Sequence, residues 1–502
     1  MASSSKQIKT GAILSYVAIA INIISGILYT PWMISSIGRE NFGLFTLANS
    51  VITLFVFDFG LSSAVTRFIA RYLAEGRQDK ANNCFGLVYK LYFSLDIVLF
   101  LIMFSVYFYI PEIYRELTPD EIEKFKVIYA VAASYSVLSF PFIPVNGVLS
   151  AHEKFIQLKL CDVFHKVFIV ASMTFCLLLG YGLYALVLVN AVSGILTIVM
   201  KLFCISHYSK QRISWKYFNK QELKQLASYS GWVTVISLSQ RCIFSLSPSI
   251  LGIFSGSTSI AILGIAITLE AYTYTFANAI NGMFLPKVSR IVTNEGGNVL
   301  PLMIKVGRIQ IYIVGLVVFG FFCLGDTFID LWVGDGFKES YICAVLIILP
   351  SFFHLPQLIG NEAIYALNKV KKLAIVFIIM ALANLAGVFA LVPLLGATGV
   401  CISICVAYLI RTIGMDVIFH KDLHIDIWQF FKASYISTLF PLIVSIILGI
   451  LVIHFIPIAG WSGLVLKTAC FGVIYGLIMY IFAMNVSERD LLLAPLRKLH
   501  KK

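Results

Sequence analysis

The chain has 502 residues, of which 59% are hydrophobic and only 13% are charged, and its formal net charge is +13. Because a soluble globular domain carries about 25% charged residues, this composition excludes an ordinary soluble protein. Apolar runs of about 20 residues, the length that crosses ~30 Å of hydrocarbon as a helix, recur along the whole chain. The sequence therefore predicts an all-α polytopic membrane protein.

Fourteen membrane-spanning helices are predicted in chain order. Helices are expected because a helix satisfies its own backbone hydrogen bonds in lipid. The predicted spans cover residues 11–36, 42–65, 85–110, 127–149, 163–180, 182–204, 228–253, 258–283, 307–325, 340–366, 372–393, 396–419, 433–456 and 461–484. The first apolar run is longer than that of a signal peptide, so we expect an uncleaved first helix.

The Lys and Arg residues predict the orientation of these spans. With the N-terminus in the cytoplasm, the loops on that side hold most of the basic residues, and Arg411 is counted among them. The opposite side holds Arg39, Arg115, Lys124, Lys126 and Lys338. This asymmetry follows the positive-inside rule. It predicts that both termini are cytoplasmic, and it explains the net charge without a nucleic-acid partner.

A basic, polar stretch divides the chain near its middle. Residues 205–226 are expected to be a cytoplasmic linker that is partly an interfacial helix, with Trp215 and Tyr217 at the lipid headgroups. The segments 37–80 and 255–298 share one pattern on either side of it, namely a short outside turn, a long helix and a basic inner loop. Six helices make one such repeat, so both copies keep the same orientation, as in parallel transporter repeats.

This repeat predicts the domain organisation. The expected parts are an N-terminal six-helix lobe at 1–204, the linker at 205–226, a C-terminal six-helix lobe at 227–420, and two further helices with a cytoplasmic tail at 421–502. The two lobes are expected to be related by a pseudo-two-fold axis along the membrane normal.

Two six-helix lobes followed by two helices are the plan of the multidrug/oligosaccharidyl-lipid/polysaccharide (MOP) superfamily. Within it, the sequence resembles the polysaccharide transporter (Wzx-type) flippases through "SSIGRENFGLFTLANSV", "DFGLSSAVTRFIARY", "FLPKVSRIVTNEG" and "YALNKVKK". The resemblance implies a V-shaped, two-lobed transporter with a central cavity, in the cytoplasmic (inner) membrane of a bacterium. It implies an undecaprenyl-pyrophosphate-linked oligosaccharide as cargo, moved from the cytoplasmic to the outer leaflet. Membrane lipids and polysaccharide-assembly proteins are the further partners.

Arg241 is the first candidate binding residue, because it lies in the middle of the span predicted at 228–253. A charge at the centre of a membrane helix costs roughly 2.5–3.5 kcal/mol on insertion scales, so Arg241 should face a partner or a hydrated cavity. Two interpretations stay open. Arg241 binds a phosphate group of the substrate, or it pairs with Glu270 or Asp58 and holds helices together. In the family that this sequence resembles, many members have an acidic residue in this stretch. Because this chain has Arg241 there, a cation-coupling role at that position is in doubt.

A polar stripe on the eighth predicted span is the second candidate. Glu270, Tyr274, Asn278 and Asn281 recur at helical spacing on one face. Hydroxyl, amide and carboxylate groups on one face suit a hydrated cavity for sugars, although random polar scatter would give the same pattern. A similar stripe on the tenth span consists of His354, Gln357, Asn361, Tyr365 and Asn368.

Three acids and two prolines complete the candidates within the spans. Asp58, Asp96 and Glu362 are each interpreted either as the structural partner of a cation or as a proton or sodium site. Pro31 and Pro248 are candidate hinges, because proline lacks a backbone donor and kinks a helix. A kinked first helix in each lobe would be a moving part in alternating access.

Four cations at the cytoplasmic ends of the second and eighth spans are candidates for the substrate entrance. They are Arg67, Arg71, Lys287 and Arg290. They either attract an anionic head group to the entrance or serve only as positive-inside anchors.

No motif in the chain indicates an enzyme or a cofactor. The sequence lacks a GxxxxGK[ST] motif, so direct use of ATP is not expected. No cluster of His, Cys, Asp or Glu residues in the sequence has metal-ligand spacing. The ten cysteines are scattered singly, which is typical of small core residues. Two alternatives to the flippase remain. They are a cation-coupled drug antiporter of the multidrug and toxin extrusion type, and a polysaccharide polymerase or ligase, which would need a large outside loop.

Overall fold

The computed structural model describes residues 4–56, 58–209, 211–282, 288, 290–292, 298–367 and 369–490, and these residues form helices with short connections. Their contacts divide the chain into two compact units. Unit N comprises Met1–Gly264 and Ala381–Val400, and unit C comprises Ile265–Met380 and Cys401–Lys502. This grouping follows packing alone. The lobes predicted at 1–204 and 227–420 stay a prediction.

The helices of unit N follow one another closely. They are α1 Ser4–Ile37, α2 Arg39–Phe55, α3 Leu61–Ala74, α4 Gln78–Ile113, α5 Pro119–Ser139, α6 Val145–Ala151, α7 Phe155–Leu178, α8 Leu183–Tyr208, α9 Lys220–Phe244 and α10 Leu246–Phe254. Helix α11, Ser257–Gly282, begins in unit N and ends in unit C.

Unit C contains the remaining helices. They are α12 Leu300–Val333, α13 Glu339–Ile348, α14 Ser351–His354, α15 Leu358–Ala366, α16 Val370–Leu423, α17 Ile427–Phe431, α18 Ser437–Phe455 and α19 Gly460–Ile478. Helix α16 is broken at Gly396, whose φ of 53° and ψ of −129° are not helical. This break separates the two spans predicted at 372–393 and 396–419, and residues 381–400 group with unit N.

Ten helical stretches in the described part are long and apolar enough to cross a membrane. They are Ile19–Ile37, Gln78–Ile113, Pro119–Ala151, Phe155–Leu178, Leu183–Tyr208, Leu300–Val333, Glu339–Ala366, Val370–Leu423, Ile427–Phe455 and Gly460–Ala483. The chain is therefore an all-α polytopic membrane protein. The count of fourteen spans and the layout of two six-helix lobes stay predictions.

The span predicted at 42–65 is wrong as a single helix. Helix α2 ends at Phe55 and α3 begins at Leu61. Gly60 adopts a left-handed conformation with φ 69°, which glycine tolerates without steric cost. The Asp58 carboxylate accepts hydrogen bonds from the Ser62 backbone N–H, 3.1 Å away, and from the Tyr92 hydroxyl, 2.8 Å away. The contact with Ser62 gives one backbone N–H at the start of α3 the partner that it lacks within the helix.

The interfacial helix predicted around Trp215 and Tyr217 is also wrong. Residues 211–219 are not helical. Helix α9 begins at Lys220, directly after Asn219. The Asn219 side chain accepts hydrogen bonds from the backbone N–H groups of Gln221 and Glu222. The non-helical segment instead packs on α4. The Trp215 ring lies edge-on to an α4 tyrosine ring, with 5.4 Å between the ring centroids, and Lys90 Nζ donates to the Tyr217 carbonyl oxygen at 2.9 Å.

A buried ion pair fixes the last helices of unit C to α12. Arg308 Nε lies 2.6 Å from Glu488 Oε1. The other guanidinium nitrogens donate to the carbonyl oxygens of Ala433 and Ala483 and to the hydroxyls of Ser437 and Tyr312. Since every nitrogen of the guanidinium group has a partner, the pair meets the condition for a stable buried charge.

Candidate functional site

Arg241 lies in the last turn of α9 and reaches the end of α2. One of its terminal nitrogens, Nη1, donates to the Thr53 carbonyl oxygen at 2.8 Å. Thr53 belongs to the last turn of α2, where carbonyl groups have no partner within the helix. A cation is favourable there, because the C-terminal end of a helix carries partial negative charge. Arg241 therefore caps α2 within unit N.

The helix that carries Arg241 breaks directly after it. Helix α9 ends at Phe244 and α10 begins at Leu246, so the span predicted at 228–253 is two helices. Pro248 has no N–H and clashes with the carbonyl of residue 244, which accounts for the break. Two side chains of α2 contact the break. Ser50 Oγ donates to the Ser245 carbonyl oxygen, and Thr53 Oγ1 lies 3.2 Å from Ser245 Oγ.

The guanidinium group of Arg241 has donors to spare. It is half-buried and carries five N–H donors, of which one is used on Thr53 among the described residues. Asp58, its proposed structural partner, instead binds Ser62 and Tyr92. Within the described part of unit N, no ion pair therefore links Arg241 to Asp58. The geometry leaves Arg241 able to bind an oxyanion while it stays held at the end of α2.

The other acid predicted in unit N lies apart from this contact. Asp96 is buried on α4, and its Oδ1 atom has no hydrogen-bond partner among the described residues. A buried carboxylate without partners is costly. Asp96 therefore remains a candidate for a proton or cation site, whereas the Asp58 carboxylate binds Ser62 and Tyr92.

Unit C brings together part of the predicted stripe on α11 and the predicted acid of α15. Glu270 is buried, and Tyr274 and Glu362 are half-buried. Both carboxylates lie close enough to the Tyr274 hydroxyl to interact with it electrostatically. The side chains of Asn278 and Asn281 lie outside the described residues, so their part of the stripe stays a prediction.

The predicted entrance cations are exposed where the structure describes them. Arg67 and Arg71 lie on α3, and Arg71 Nε pairs with Glu75 Oε1 at 2.9 Å. Arg290 is exposed in a short described stretch, and Lys287 lies outside the described residues. Exposed arginines fit either of the two interpretations, a substrate entrance or a membrane anchor.

The two candidate hinges differ in their local structure. Helix α1 continues through Pro31 without a break. Pro248 is buried at the start of α10, next to the break at Ser245. Only Pro248 therefore coincides with an interrupted helix, and the hinge role of both prolines stays a prediction.

The predicted position of Arg411 in a cytoplasmic loop is wrong. Arg411 lies within α16 and is only 5% exposed. Its guanidinium carbon lies 4.8 Å from the ring centroid of Phe377 and 5.8 Å from that of Tyr408. Such cation–π contacts favour a charge away from water. The position of Arg411 inside the span predicted at 396–419 was the signal that could have identified it.

Among the described residues, no group of three or more His, Cys, Asp and Glu side chains is arranged to hold a metal ion.

The family model for polysaccharide biosynthesis proteins matches residues 8–292, which is more than half of the chain. The chain belongs to the polysaccharide biosynthesis protein family. No curated protein sequence matches the chain.

Solved structures of MOP superfamily transporters share its fold. The lipid II flippase MurJ, in an inward closed conformation, is 14% identical, with 96% of this chain and 99% of that chain covered and a TM-score of 0.70. An inward-facing multidrug resistance MATE family transporter is 14% identical, with 82% and 96% covered and a TM-score of 0.62. A MOP superfamily transporter from Pyrococcus furiosus is 14% identical, with 84% and 96% covered and a TM-score of 0.59.

These matches confirm the resemblance inferred from the sequence motifs. This polysaccharide biosynthesis protein has the fold of the MOP superfamily, and the likeness to MurJ extends over nearly its whole length. At 14% identity the structural likeness concerns the fold, so the cargo and the roles of individual residues are matters for proposal.

Proposed function

We propose that the chain is a flippase that moves an undecaprenyl-pyrophosphate-linked oligosaccharide from the cytoplasmic to the outer leaflet of a bacterial inner membrane. Two six-helix lobes give the cargo access to each side in turn, and the two last predicted spans accompany the C-terminal lobe. The chain is a transporter and not an enzyme, and it works without a cofactor.

The family and the fold support this proposal together. A polysaccharide biosynthesis protein that spans the membrane many times has a natural task, since lipid-linked sugars assembled on one side must reach the other. The fold is that of the lipid II flippase MurJ over 96% of this chain. This fold therefore occurs in a protein that is named as a lipid flippase.

Arg241 is the observation that carries the chemical part of the proposal. The cargo carries its pyrophosphate next to a long lipid tail, so only the charged head must pass through the protein. Moving that head without a counter-charge would cost many kcal/mol in a low-dielectric medium. A half-buried arginine held by one backbone contact provides that counter-charge, and it stays protonated at any physiological pH.

Polar groups of unit C are assigned to the sugars in this proposal. Glu270, Tyr274, Asn278 and Asn281 contact hydroxyl groups of the oligosaccharide.

Arg67, Arg71, Lys287 and Arg290 attract the pyrophosphate to the cytoplasmic entrance. Asp58, Asp96 and Glu362 are the acids available for coupling or structure, and Pro31 and Pro248 are the hinges.

Transport is tested in sealed vesicles. The purified chain is reconstituted with an undecaprenyl-pyrophosphate-linked sugar that carries a fluorophore, and a membrane-impermeant reductant is added. The reductant destroys only fluorophores in the outer leaflet, and a flippase brings the inner-leaflet fluorophores there. The fraction of fluorescence that survives the reductant should therefore fall well below that of protein-free vesicles. An unchanged protected fraction, with active control protein in parallel vesicles, would refute the proposal.

Orientation is tested separately with reporter fusions. Fusions after Lys210 and Asn298 should report a cytoplasmic location, and fusions after Thr118 and Asp335 an external one. A cytoplasmic signal at Asp335 would overturn the two-lobe assignment.

A drug antiporter is the second candidate, because MATE family transporters share the fold with a TM-score of 0.62. Vesicles that take up a cationic dye in response to a proton or sodium gradient, but leave the lipid-linked sugar in place, would favour it.

A further inference from the structure

Arg411 is a buried cation, and no acidic side chain pairs with it in the part of the chain that the structure describes. Its guanidinium group lies against the rings of Phe377 and Tyr408. Within the described residues it forms no ion pair, and its Nε atom lacks a hydrogen-bond partner. Desolvating a charge costs several kcal/mol unless a counter-charge or hydrogen bonds replace the water. The cation–π contacts offset part of this cost, so the site still lacks an anion.

Three tyrosines lie near the guanidinium group. The hydroxyls of Tyr274, Tyr365 and Tyr408 lie within electrostatic reach of Arg411. Tyr365 is 39% exposed, and the neighbouring Glu362 is half-buried. Tyr365 is therefore the most accessible of these three tyrosines.

Unpartnered polar groups continue from this cluster along a broken helix. His354, Gln357 and Asn361 are buried on the segment from α14 to α15, which contains Pro356 in a short 3-10 turn. Asn361 Oδ1 has no hydrogen-bond partner among the described residues, whereas the Gln357 side chain lies next to the Asp416 carboxyl group. Buried polar groups are almost always paired, so this row of side chains has room for hydrogen bonds to a polar ligand.

His354 has a defined role in this row. Its Nδ1 atom lies 3.0 Å from the Pro350 carbonyl oxygen, which only accepts hydrogen bonds, so Nδ1 carries the proton. In the neutral ring Nε2 is then an acceptor, and it too has no partner in the described part of the chain. The His354 ring lies 5.0 Å from that of Tyr408, next to Arg411. An anion site therefore adjoins acceptors suited to hydroxyl donors.

We propose that Arg411, the three tyrosines and the His354–Asn361 row form a recognition site in unit C for a sugar that bears a carboxylate group, such as a hexuronate. The guanidinium group binds the carboxylate through two parallel hydrogen bonds, and the acceptors bind the ring hydroxyls. This proposal deepens the proposed flippase function and rests on it, because it makes the transported oligosaccharide acidic.

The charge balance of the cluster favours a carboxylate over a phosphate. One guanidinium group matches one planar monoanion in charge and in geometry. Glu270 and Glu362 both lie near Tyr274, and these acids repel any further negative charge. A phosphate dianion would therefore be less well compensated than a carboxylate.

Ligand-induced stabilisation tests this site on the purified full-length chain. The unfolding temperature is measured in detergent with sodium glucuronate, glucose or inorganic phosphate at equal ionic strength. A ligand that binds only the folded protein raises this temperature. Glucuronate should raise it in a concentration-dependent way, and glucose and phosphate should raise it much less.

Two variants assign the effect to Arg411. The stabilisation by glucuronate should be lost in Arg411→Met and kept in Lys421→Met, a control that removes an exposed cation near the end of the same helix. Without ligand, Arg411→Met should unfold at the wild-type temperature or above, because it removes an uncompensated buried charge.

Several results would overturn the proposal. They are an equal shift with glucose, a shift with phosphate as large as with glucuronate, a glucuronate shift that persists in Arg411→Met, or a clear loss of ligand-free stability in that variant. The assay uses free sugars and no transport step, so it can fail while the vesicle assay succeeds, and the reverse.

Discussion

Arg308 and Glu488 form a closed ion pair, with Nε and Oε1 2.6 Å apart, between α12 and the segment that follows α19. Tyr312 donates to the second carboxylate oxygen at 3.0 Å. Removal of one partner leaves the other charge buried, which costs about 3–5 kcal/mol. We expect Arg308→Met and Glu488→Met each to lower the free energy of unfolding by about that amount.

The double variant separates the interaction between Arg308 and Glu488 from the other contacts of each residue. Arg308→Met combined with Glu488→Met leaves no stranded charge, so its loss should be much smaller than the sum of the single losses. Unfolding in detergent, followed by intrinsic fluorescence, measures all three variants. Additive losses would show that the two residues act independently.

The same carboxylate predicts a pH dependence of stability. Burial alone would raise the pKa of Glu488, but hydrogen bonds from Arg308, from the Asn485 backbone and from Tyr312 hold it below the ordinary value of 4.5. A carboxyl group whose pKa is lower in the folded state contributes stability above its unfolded pKa, and this contribution is lost as the pH falls. The wild-type unfolding temperature should therefore fall more steeply than that of Glu488→Gln between about pH 6 and about pH 4. Glu116→Gln, at an exposed site, should behave like the wild type.

Gly60 and Gly76 offer a matched pair for the break between α2 and α3. Both have positive φ angles, of 69° and 70°, so alanine is strained at each by roughly 1–2 kcal/mol. A Cβ atom at Gly60 would also lie 3.0 Å from Val233 Cβ, whereas a Cβ at Gly76 meets nothing within 4 Å. Gly60→Ala should therefore lower the unfolding temperature clearly more than Gly76→Ala. Equal losses would mean that α9 does not restrict this break.

The sequence predicted those features that depend on neighbouring residues. The break of α16 falls at Gly396, which is the first residue of the span predicted at 396–419. The end of α2 at Phe55 and the start of α3 at Leu61 both lie within the run "VITLFVFDFGLSS", whose apolar pattern predicts one continuous helix. The break between them depends on Tyr92 from α4 and on Thr234 from α9, whose hydroxyl donates to the Phe59 carbonyl oxygen at 2.6 Å. Such distant contacts leave no local pattern.

The candidate site shows the same limit. The position of Arg241 within an apolar run identified it as a functional candidate, but its partner, the Thr53 carbonyl oxygen, is a backbone atom of a distant helix. Arg411 is predicted in a cytoplasmic loop, although its number lies inside the span predicted at 396–419. Its burial depends on Phe377, which precedes it by many residues on the other side of the break in α16. Aromatic partners of this kind cannot be inferred from spacing.

The stripe on α11 should be accessible to water. In a cysteine-free background, cysteines at Tyr274 and Asn278 should react with a polar thiol reagent faster than cysteines at Ile267 or Ala271, which lie off the stripe. A hydrated cavity lets the reagent in and supports the thiolate, whereas lipid does neither. Equal rates at the four positions would remove the cavity assignment for this helix.

The most direct test of the account is transport by Arg241 variants in the vesicle assay. Arg241→Ala should abolish translocation of the lipid-linked sugar at wild-type protein abundance, because the pyrophosphate loses its counter-charge. Arg241→Lys should restore it only in part, since an ammonium group keeps the charge but lacks the two-pronged geometry for phosphate oxygens. Protein abundance and unfolding temperature serve as the control, because Arg241 also caps α2. If Arg241 had only this structural role, the loss of transport would be accompanied by a matching fall in abundance or unfolding temperature. Normal transport by Arg241→Ala at wild-type abundance would contradict the assignment of Arg241 as the pyrophosphate-binding residue.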